Sequence, residues 1–387
     1  MFFSITLEPD TRFPNQRKIT EQHWFNSDPG WTWSGSFVYK GYADQISIDQ
    51  IPSHFDQCNN YTGNFCVINF DRNVVTVRHN RNRSFELWHD SNTVTNLPPP
   101  QGRENIWASH EIVLDTAQHL MPIATDNRPV TGKLTWNQAL DQVLELLKQN
   151  IQEFVATNQP RLKLYLSGGI DTLMLYSLLT RLHVPFELIT ATHYDQDEFT
   201  TCNHEALNYF WNYKQIHHWR DAAWLATGSH GDEYFLRGPE VIAMLTSWHN
   251  IDFLKIMQAN PNAYHAYYFR KYETAFKTAW DNRQSFQKQY PRIELLHAHI
   301  LDFLINDYQY YHLGNTLTWT PFRNIELVRI LLQVPVEELL PQFISAEFSR
   351  QIVACTDPVL LNSLSQFKNY NSTENLWVLL KTHTQNQ

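Results

Sequence analysis

The chain has 387 residues, enough for two domains with separate cores. Hydrophobic residues make up 43% of it and charged residues 18%, a balance that excludes a largely disordered protein. The formal net charge of −9 leaves no basic surface for a phosphate backbone and argues against nucleic acid as the main partner.

The cysteine spacing, the N-terminal sequence and the length of the apolar runs indicate the cellular compartment. Cys58, Cys66, Cys202 and Cys355 have neither CxxC nor zinc-ligand spacing, which is typical of free thiols in a reducing compartment. Acidic residues and a proline follow the apolar start too soon for a signal peptide. No apolar run approaches the roughly 20 residues that span a bilayer. We therefore expect a cytoplasmic protein without a membrane partner.

The first 130 residues carry a β pattern. Short apolar or alternating runs at 65–70, 74–77 and 85–88 are separated by turn-forming segments. The run of prolines at 98–100 can continue neither a strand nor a helix and marks a loop. This spacing predicts hairpins in an antiparallel, β-rich first domain over residues 1–130.

The period changes from about Leu134 onward. Apolar residues then recur at helical spacing, and Thr135 with Gln138 fits a capping box at the start of a helix that should end near 158–160. A buried strand at 162–166, a helix at 171–182 and a strand at 186–190 follow. Strand, tight turn, helix and strand form the βαβ unit of a parallel sheet, so we expect an α/β second domain over residues 131–387.

The turn in this unit carries the strongest chemical signal, in the run Leu166-Ser167-Gly168-Gly169-Ile170-Asp171-Thr172. Its glycines allow a ligand close to the backbone, and the helix start presents unpaired N–H groups to an anion such as pyrophosphate. The two hydroxyl residues add donors, and Asp171 suits a magnesium ion that bridges phosphates. A Walker A loop would need a lysine after its second glycine, and none is present.

Three segments together resemble one family. The run 166–172 resembles the SGGxDS/T signature of PP-loop ATP pyrophosphatases. Residues 227–235 resemble the GxGxDE segment of the asparagine synthetase family, and 319–328 resemble that family's VPFLDxxLVE stretch. Pro335 falls where the family has Leu-Ser-Leu-Pro. The matches cover roughly residues 140–340 in the family's order.

The resemblance implies a parallel-sheet PP-loop domain with extra helices, of the adenine nucleotide alpha hydrolase type, that adenylates a carboxylate with ATP and Mg²⁺. Asp171 and Asp232 would hold the magnesium ion, Gly228 would lie against the nucleoside, and Glu233 would orient its loop. Lys368 would stabilise charge on the acyl-adenylate. The remaining nucleotide contacts would come from Leu166, Ser167, Gly168, Gly169 and Thr172.

The first domain resembles a class II glutamine amidotransferase domain, an Ntn-like sandwich, at 62–68, Asp71 and 78–87. That class uses a cysteine at position 2 as its nucleophile. Phe2 stands there in this chain. We therefore expect a degenerate domain without glutaminase activity, a loss that the β-lactam synthetases of the same family share.

Departures from the family pattern fall near the expected acceptor side. Ser229 and His230 replace an acidic residue and a glycine, so His230 becomes a candidate base for deprotonating an amine. The run Leu317-Thr318-Trp319 and Asn324 also differ from the family, and we interpret them as changes on the substrate side that disfavour aspartate as the substrate.

The leading hypothesis is a ligase that joins a small-molecule or peptide carboxylate to ammonia or another amine, with intramolecular closure left open. One alternative is a PP-loop enzyme that activates an oxygen on a nucleobase or other small molecule. The other is a nucleotide-binding relative without catalysis. A homo-oligomer is also left open.

Overall fold

The protein is described here from a computed structural model that covers residues 3–10, 13, 15–27, 29–72, 74–79, 87–89, 93–95, 104–106, 111–114, 130–165, 169–189, 224–259, 266–307 and 317–360. Within them, no helix combines the length and apolarity of a membrane span.

Eleven strands of the described part precede the first α-helix. They are β1 (Phe3–Thr6), β2 (Asn15–Lys18), β3 (Trp24–Ser27), β4 (Thr32–Ser34), β5 (Phe37–Ala43), β6 (Gly63–Asp71), β7 (Val74–His79), β8 (Leu87–His89), β9 (Thr93–Thr95), β10 (Glu104–Ile106) and β11 (Glu111–Leu114). A 3-10 helical segment, Ile48–Asn60, connects β5 to β6.

These strands form two antiparallel sheets that share a core. One sheet has the order β10-β8-β9-β1-β3-β2 and the other the order β11-β7-β6-β5-β4. Alternate residues of β6 point to opposite faces. Cys66 and Ile68 face Phe3 and the rest of the six-stranded sheet, whereas Phe65 faces the 3-10 segment. The predicted antiparallel β-rich architecture is confirmed, and its relation to Ntn-type domains stays a prediction.

The second half contains helices around a parallel sheet. The strands are β12 (Leu162–Tyr165), β13 (Phe186–Ile189), β14 (Trp224–Ala226) and β15 (Leu317–Trp319). The helices are α1 (Trp136–Asn158), α2 (Ile170–Arg181), α3 (Gly231–Tyr234), α4 (Pro239–Trp248), α5 (Phe253–Gln258), α6 (Ala266–Asp281), α7 (Arg283–Gln289), α8 (Ile293–Asp307), α9 (Ile325–Leu331), α10 (Val336–Ser345) and α11 (Glu347–Thr356).

The parallel sheet has the order β13-β12-β14-β15, with all pairs parallel. After β12 the chain moves through α2 to one side of the sheet, whereas after β14 it continues to β15 on the other side. The strand order therefore reverses between β12 and β14. In open α/β sheets, ligands bind in the crevice at such a point, beyond the carboxyl ends of the strands.

Helix α1 follows the sequence closely. The Thr135 side chain accepts from the Gln138 backbone and the Gln138 side chain accepts from the Thr135 N–H, which confirms the predicted capping box. The helix ends at Asn158, where Gln159 adopts the left-handed conformation with φ of 43°. Its apolar stripe is buried, as the helical spacing predicts.

Strand β5 touches the parallel-sheet unit directly. Tyr42 Oη donates to the Thr318 carbonyl at 3.0 Å, and Asn158 Nδ2 donates to the Ala43 carbonyl at 3.0 Å. The Tyr42 ring also lies edge-on against Trp224, with centroids 4.7 Å apart. The boundary at residue 130 stays a prediction, because residues 115–129 lie outside the described ranges.

Asp44 lies beside this contact and should make the stability of the fold depend on pH. Burial raises the pKa of its carboxyl to about 7, while the Thr62 hydroxyl, which donates to it at 2.8 Å, opposes the shift. The folded chain thus binds this proton more tightly than the unfolded chain. The contribution of this proton to the free energy of unfolding is complete below the ordinary pKa of 3.8 and is lost as the pH rises to about 7.

Asp44→Asn should remove the contribution of Asp44 to the change of the unfolding free energy with pH. That contribution amounts to at most about 1.4 kcal/mol per pH unit. Urea unfolding of wild type and variant between about pH 5 and pH 7 measures it. Asp141→Asn, at an exposed position of α1, is the control and should keep the wild-type slope. An unchanged slope in Asp44→Asn would show that Asp44 does not titrate in this range.

Candidate functional site

The three segments singled out in the sequence meet at the carboxyl edge of the parallel sheet. Gly169 precedes α2, the loop 227–230 follows β14, and Thr320 follows β15. The Thr227 N–H donates to the Trp319 carbonyl at 3.0 Å, so the second and third segments are joined where their strands end. Leu166, Ser167 and Gly168 lie outside the described residues.

Two glycines let the second segment press against the start of α2. A Cβ placed on Gly228 would lie 2.7 Å from the Thr172 nitrogen and 2.8 Å from its Cγ2. A Cβ on Gly231 would lie 2.6 Å from Asp171 Oδ1 and 2.7 Å from its Cβ. Real side chains do not approach this closely, so only glycine fits at either position. Gly228 therefore lies against the first segment in this structure, and its predicted contact with a nucleoside stays a prediction.

The third segment packs against the second and is hydrogen-bonded to it. Thr320 Oγ1 donates to the Ser229 carbonyl at 3.0 Å. Trp319 is buried and stacks on Phe154, with ring centroids 4.2 Å apart. Asn324 is also buried, where it accepts from the Glu326 N–H at 3.0 Å and caps α9.

These positions correct one interpretation from the sequence. Trp319 and Asn324 were expected on the substrate side, but both side chains belong to the packed interior. Asn324 donates a further hydrogen bond to Asn150 Oδ1 at 3.1 Å, which ties it to α1. An asparagine caps a helix as well as an aspartate does, so the difference from the family at this position has a structural explanation.

An arginine that the sequence analysis did not select joins the two predicted metal ligands. Arg237 Nη2 donates to Asp171 Oδ1 at 2.6 Å and to Oδ2 at 2.7 Å, and lies 2.5 Å from Asp232 Oδ1. The Arg237 side chain is 5% exposed, that of Asp171 16% and that of Asp232 51%. The cluster therefore runs from the interior to the surface.

The surroundings shift the pKa values of this cluster. Burial raises the pKa of Asp171 to about 7, and the Arg237 guanidinium opposes that shift. Burial lowers the pKa of Arg237, but the carboxylates of Asp171 and Asp232 outweigh it and the net shift is upward. The short contacts from Nη2 to both Asp171 oxygens favour the ionised pair near neutral pH.

Glu233 and His230 flank the cluster. Burial, with the Asp232 charge in addition, raises the pKa of Glu233 to about 8, so its carboxyl stays protonated at neutral pH and can donate a hydrogen bond. Burial, with the Arg323 guanidinium in addition, holds the pKa of His230 well below its usual range. The imidazole is therefore neutral at pH 7, which permits it to accept a proton but makes it a weak base.

His230 also has an unusual backbone. It precedes α3 with φ of 65° and ψ of 6°, a left-handed conformation that glycine adopts readily and other residues rarely do. A glycine would adopt this conformation without strain. Leu236 is left-handed as well, with φ of 58°, directly before Arg237.

A magnesium ion held by this site would need oxygen ligands that converge on one point. Asp171 and Asp232 do converge on one point, as a shared cation requires, but Arg237 Nη2 already occupies that point. Among the described residues, no group of three or more His, Cys, Asp or Glu side chains could hold a metal ion. The two carboxylates therefore do not fit a magnesium ion between them while Arg237 is in place.

The predicted roles of Thr172 and Lys368 stay predictions. Thr172 Oγ1 donates to the Gly169 carbonyl at 2.9 Å and so closes the first turn of α2. Lys368 lies outside the described residues. Arg237 lies four residues after Glu233 but beyond the end of α3 at Tyr234, and nothing in the sequence shows that it turns back to Asp171.

Comparison with known proteins adds no family. Neither a scan against protein-family models nor a search of curated proteins returned a match. Any functional assignment for this chain therefore depends on its own residues and their geometry.

Proposed function

We propose that this chain is an ATP-dependent carbon–nitrogen ligase that forms AMP and pyrophosphate. It would adenylate a carboxylate and pass the acyl group to ammonia or another amine. The observation that carries the proposal is the contact of Gly228 and Gly231 with Thr172 and Asp171 at the reversal point of the parallel sheet. Open α/β sheets bind their ligands at this place.

The start of α2 supplies a site for phosphate. Gly169 is the N-cap residue of this helix. The positive end of the helix dipole at this position favours an anion such as the leaving pyrophosphate. In adenylation, a carboxylate oxygen of the acid bonds to the α-phosphorus as the bond to the β-phosphate oxygen breaks. The pyrophosphate takes the bonding electrons and the added negative charge.

The second half-reaction needs a proton acceptor. The amine attacks the acyl carbon, AMP leaves with the bonding electrons, and the amine must lose a proton. His230 lies in the loop that contacts α2, and its neutral imidazole is the candidate acceptor. Lys368 remains the candidate for stabilising charge on the acyl-adenylate.

A nucleotide-binding protein without catalysis is the second candidate. The closed ion pair between Asp171 and Arg237 favours it, because both groups are already neutralised without a ligand. Such a protein would bind ATP and leave it intact. A PP-loop enzyme that acts on a nucleobase oxygen would share the products of the ligase and differ only in its acceptor.

The nucleotide products separate the ligase from a protein without catalysis, and dependence on a carboxylic acid separates it from an enzyme that acts on a nucleobase. Purified protein is incubated with ATP, magnesium chloride and a panel of carboxylic acids, each with ammonia or a primary amine, and the spent nucleotide is chromatographed. We expect AMP and pyrophosphate in equal amounts, dependent on the acid. ADP and phosphate as the main products would contradict the proposal, and nucleotide binding with no turnover on a wide panel would favour the second candidate.

Glutamine serves as a further arm of the same assay. Cys58 and Cys66, the described cysteines of the β-rich unit, are both buried, and burial raises the pKa of the Cys66 thiol well above its usual value. Neither is therefore an accessible thiolate nucleophile. We expect no glutamate from glutamine; stoichiometric glutamate would show that the β-rich unit has amidase activity.

A further inference from the structure

One nitrogen atom is surrounded by three carboxylate oxygens. Nη2 of Arg237 lies 2.6 and 2.7 Å from the two oxygens of Asp171 and 2.5 Å from Oδ1 of Asp232. A guanidinium nitrogen has two protons, so three acceptors at these distances exceed an ordinary hydrogen-bond arrangement. Charge accounts for the geometry, since both carboxylates are drawn to the same cationic centre.

We propose that Arg237 is the resident cation of this site and excludes a divalent metal ion from the protein's own carboxylates. The proposal rests on the proposed function for its meaning, since a site for ATP has to offset several phosphate charges with cations and Arg237 lies between the two carboxylates that converge there. Any metal needed for catalysis would then enter bound to the phosphates of ATP, without a direct bond to these two side chains. Arg237 is thus the residue that sets where metal binds.

The position of Arg237 is fixed by more than its ion pairs. Its backbone N–H donates to the Asp232 carbonyl at 2.6 Å, and this hydrogen bond closes the turn that follows α3. The preceding Leu236 is fully buried and left-handed, and the following Gly238 and Pro239 start α4. The side chain enters the interior beside Asp171, and 5% of it is exposed.

Removal of this arginine would leave a vacant cation position. Asp171 and Asp232 would then face each other with two negative charges and no counter-ion between them. Carboxylate oxygens are the preferred ligands of Mg²⁺ and Mn²⁺. Arg237→Met keeps an unbranched apolar stem, ends short of the position that Nη2 occupies and removes the charge, so it should convert that position into a divalent-ion site.

The test is a titration of the full-length, metal-free chain with Mn²⁺ in the absence of nucleotide, followed by electron paramagnetic resonance of the free ion. We expect wild type to show no site tighter than about 1 mM, the weak end of protein carboxylate sites, and Arg237→Met to gain one site at least about tenfold tighter. Adding Asp171→Asn to Arg237→Met should abolish the new site. Arg329→Met, which removes a buried arginine of α9, is the control and should behave as wild type.

Two outcomes would overturn the proposal. One is a tight Mn²⁺ site in wild type that Asp171→Asn removes. The other is a folded Arg237→Met that gains no site; circular dichroism establishes folding, and Arg237→Gln replaces the variant if it does not fold. Because no nucleotide is present, this result is independent of the proposed function. A chain that follows the Mn²⁺ pattern but never binds ATP would keep Arg237 as the resident cation and lose the ligase assignment.

Discussion

Arg237→Met should lower the free energy of unfolding by about 3 kcal/mol, the scale on which breaking a buried ion pair destabilises a protein. The Asp171 carboxylate is only 16% exposed and would lose its counter-ion, whereas Asp232 is 51% exposed and would be rehydrated. Most of the loss should therefore come from Asp171. Urea denaturation followed by tryptophan fluorescence measures it.

A second substitution and a control make this expectation specific. Asp171→Asn in the Arg237→Met background should restore part of the stability, because it removes the unpaired charge. Arg161→Met breaks an ion pair with Glu187 in which both side chains are mostly exposed, and should cost less than about 1 kcal/mol. An equal, small loss in Arg237→Met and Arg161→Met would show that the buried cluster contributes little.

Gly231→Ala should have the second large effect, and it should act on both stability and turnover. Its Cβ would lie 2.6 Å from Asp171 Oδ1 and 2.7 Å from the Asp171 Cβ. The obstacle is a half-buried side chain held by Arg237, so either α2 or the loop has to move. We expect a loss of about 1–3 kcal/mol in stability, as for other overpacked sites, and a fall in AMP formation of about a hundredfold or more.

Ser229→Ala is the matched control in the same loop. Its side chain is exposed and its hydroxyl accepts from Thr227 Oγ1 at 3.0 Å, so its loss should change stability by less than about 0.5 kcal/mol. Unfolding and AMP formation are measured for both variants under identical conditions. Gly231→Ala with the stability and turnover of wild type would mean that the contact with Asp171 is dispensable.

Local signals in the sequence predicted the fold well. The capping box of Thr135 and Gln138, the apolar stripe of α1 and the change of period near Leu134 depend on neighbours along the chain, and the structure confirms them. The parallel sheet also follows from such signals, because a buried strand, a glycine turn and a helix leave few arrangements open. Gly228 and Asp171 belong to two segments that were expected in one site, and these segments do make contact.

Long-range features could not be predicted in the same way. The ion pair of Asp171 with Arg237 joins residues far apart in the chain, and its existence depends on how α2 and α3 pack. The reassignment of Asn324 to a helix cap likewise depends on where α9 starts. The left-handed conformation of His230 is a local property, but a histidine gives no signal of it, whereas a glycine would have.

We propose that the starts of α2 and α3 form one nucleotide site at the carboxyl edge of the parallel sheet. Hydrogen–deuterium exchange of the full chain, with and without saturating ATP and magnesium chloride, tests it without knowledge of the acid or the amine. We predict slower exchange at 169–173 and 227–237 together, and unchanged exchange in strands β6 and β7. Protection confined to the β-rich unit, or no change at either segment in the presence of ATP, would contradict the claim.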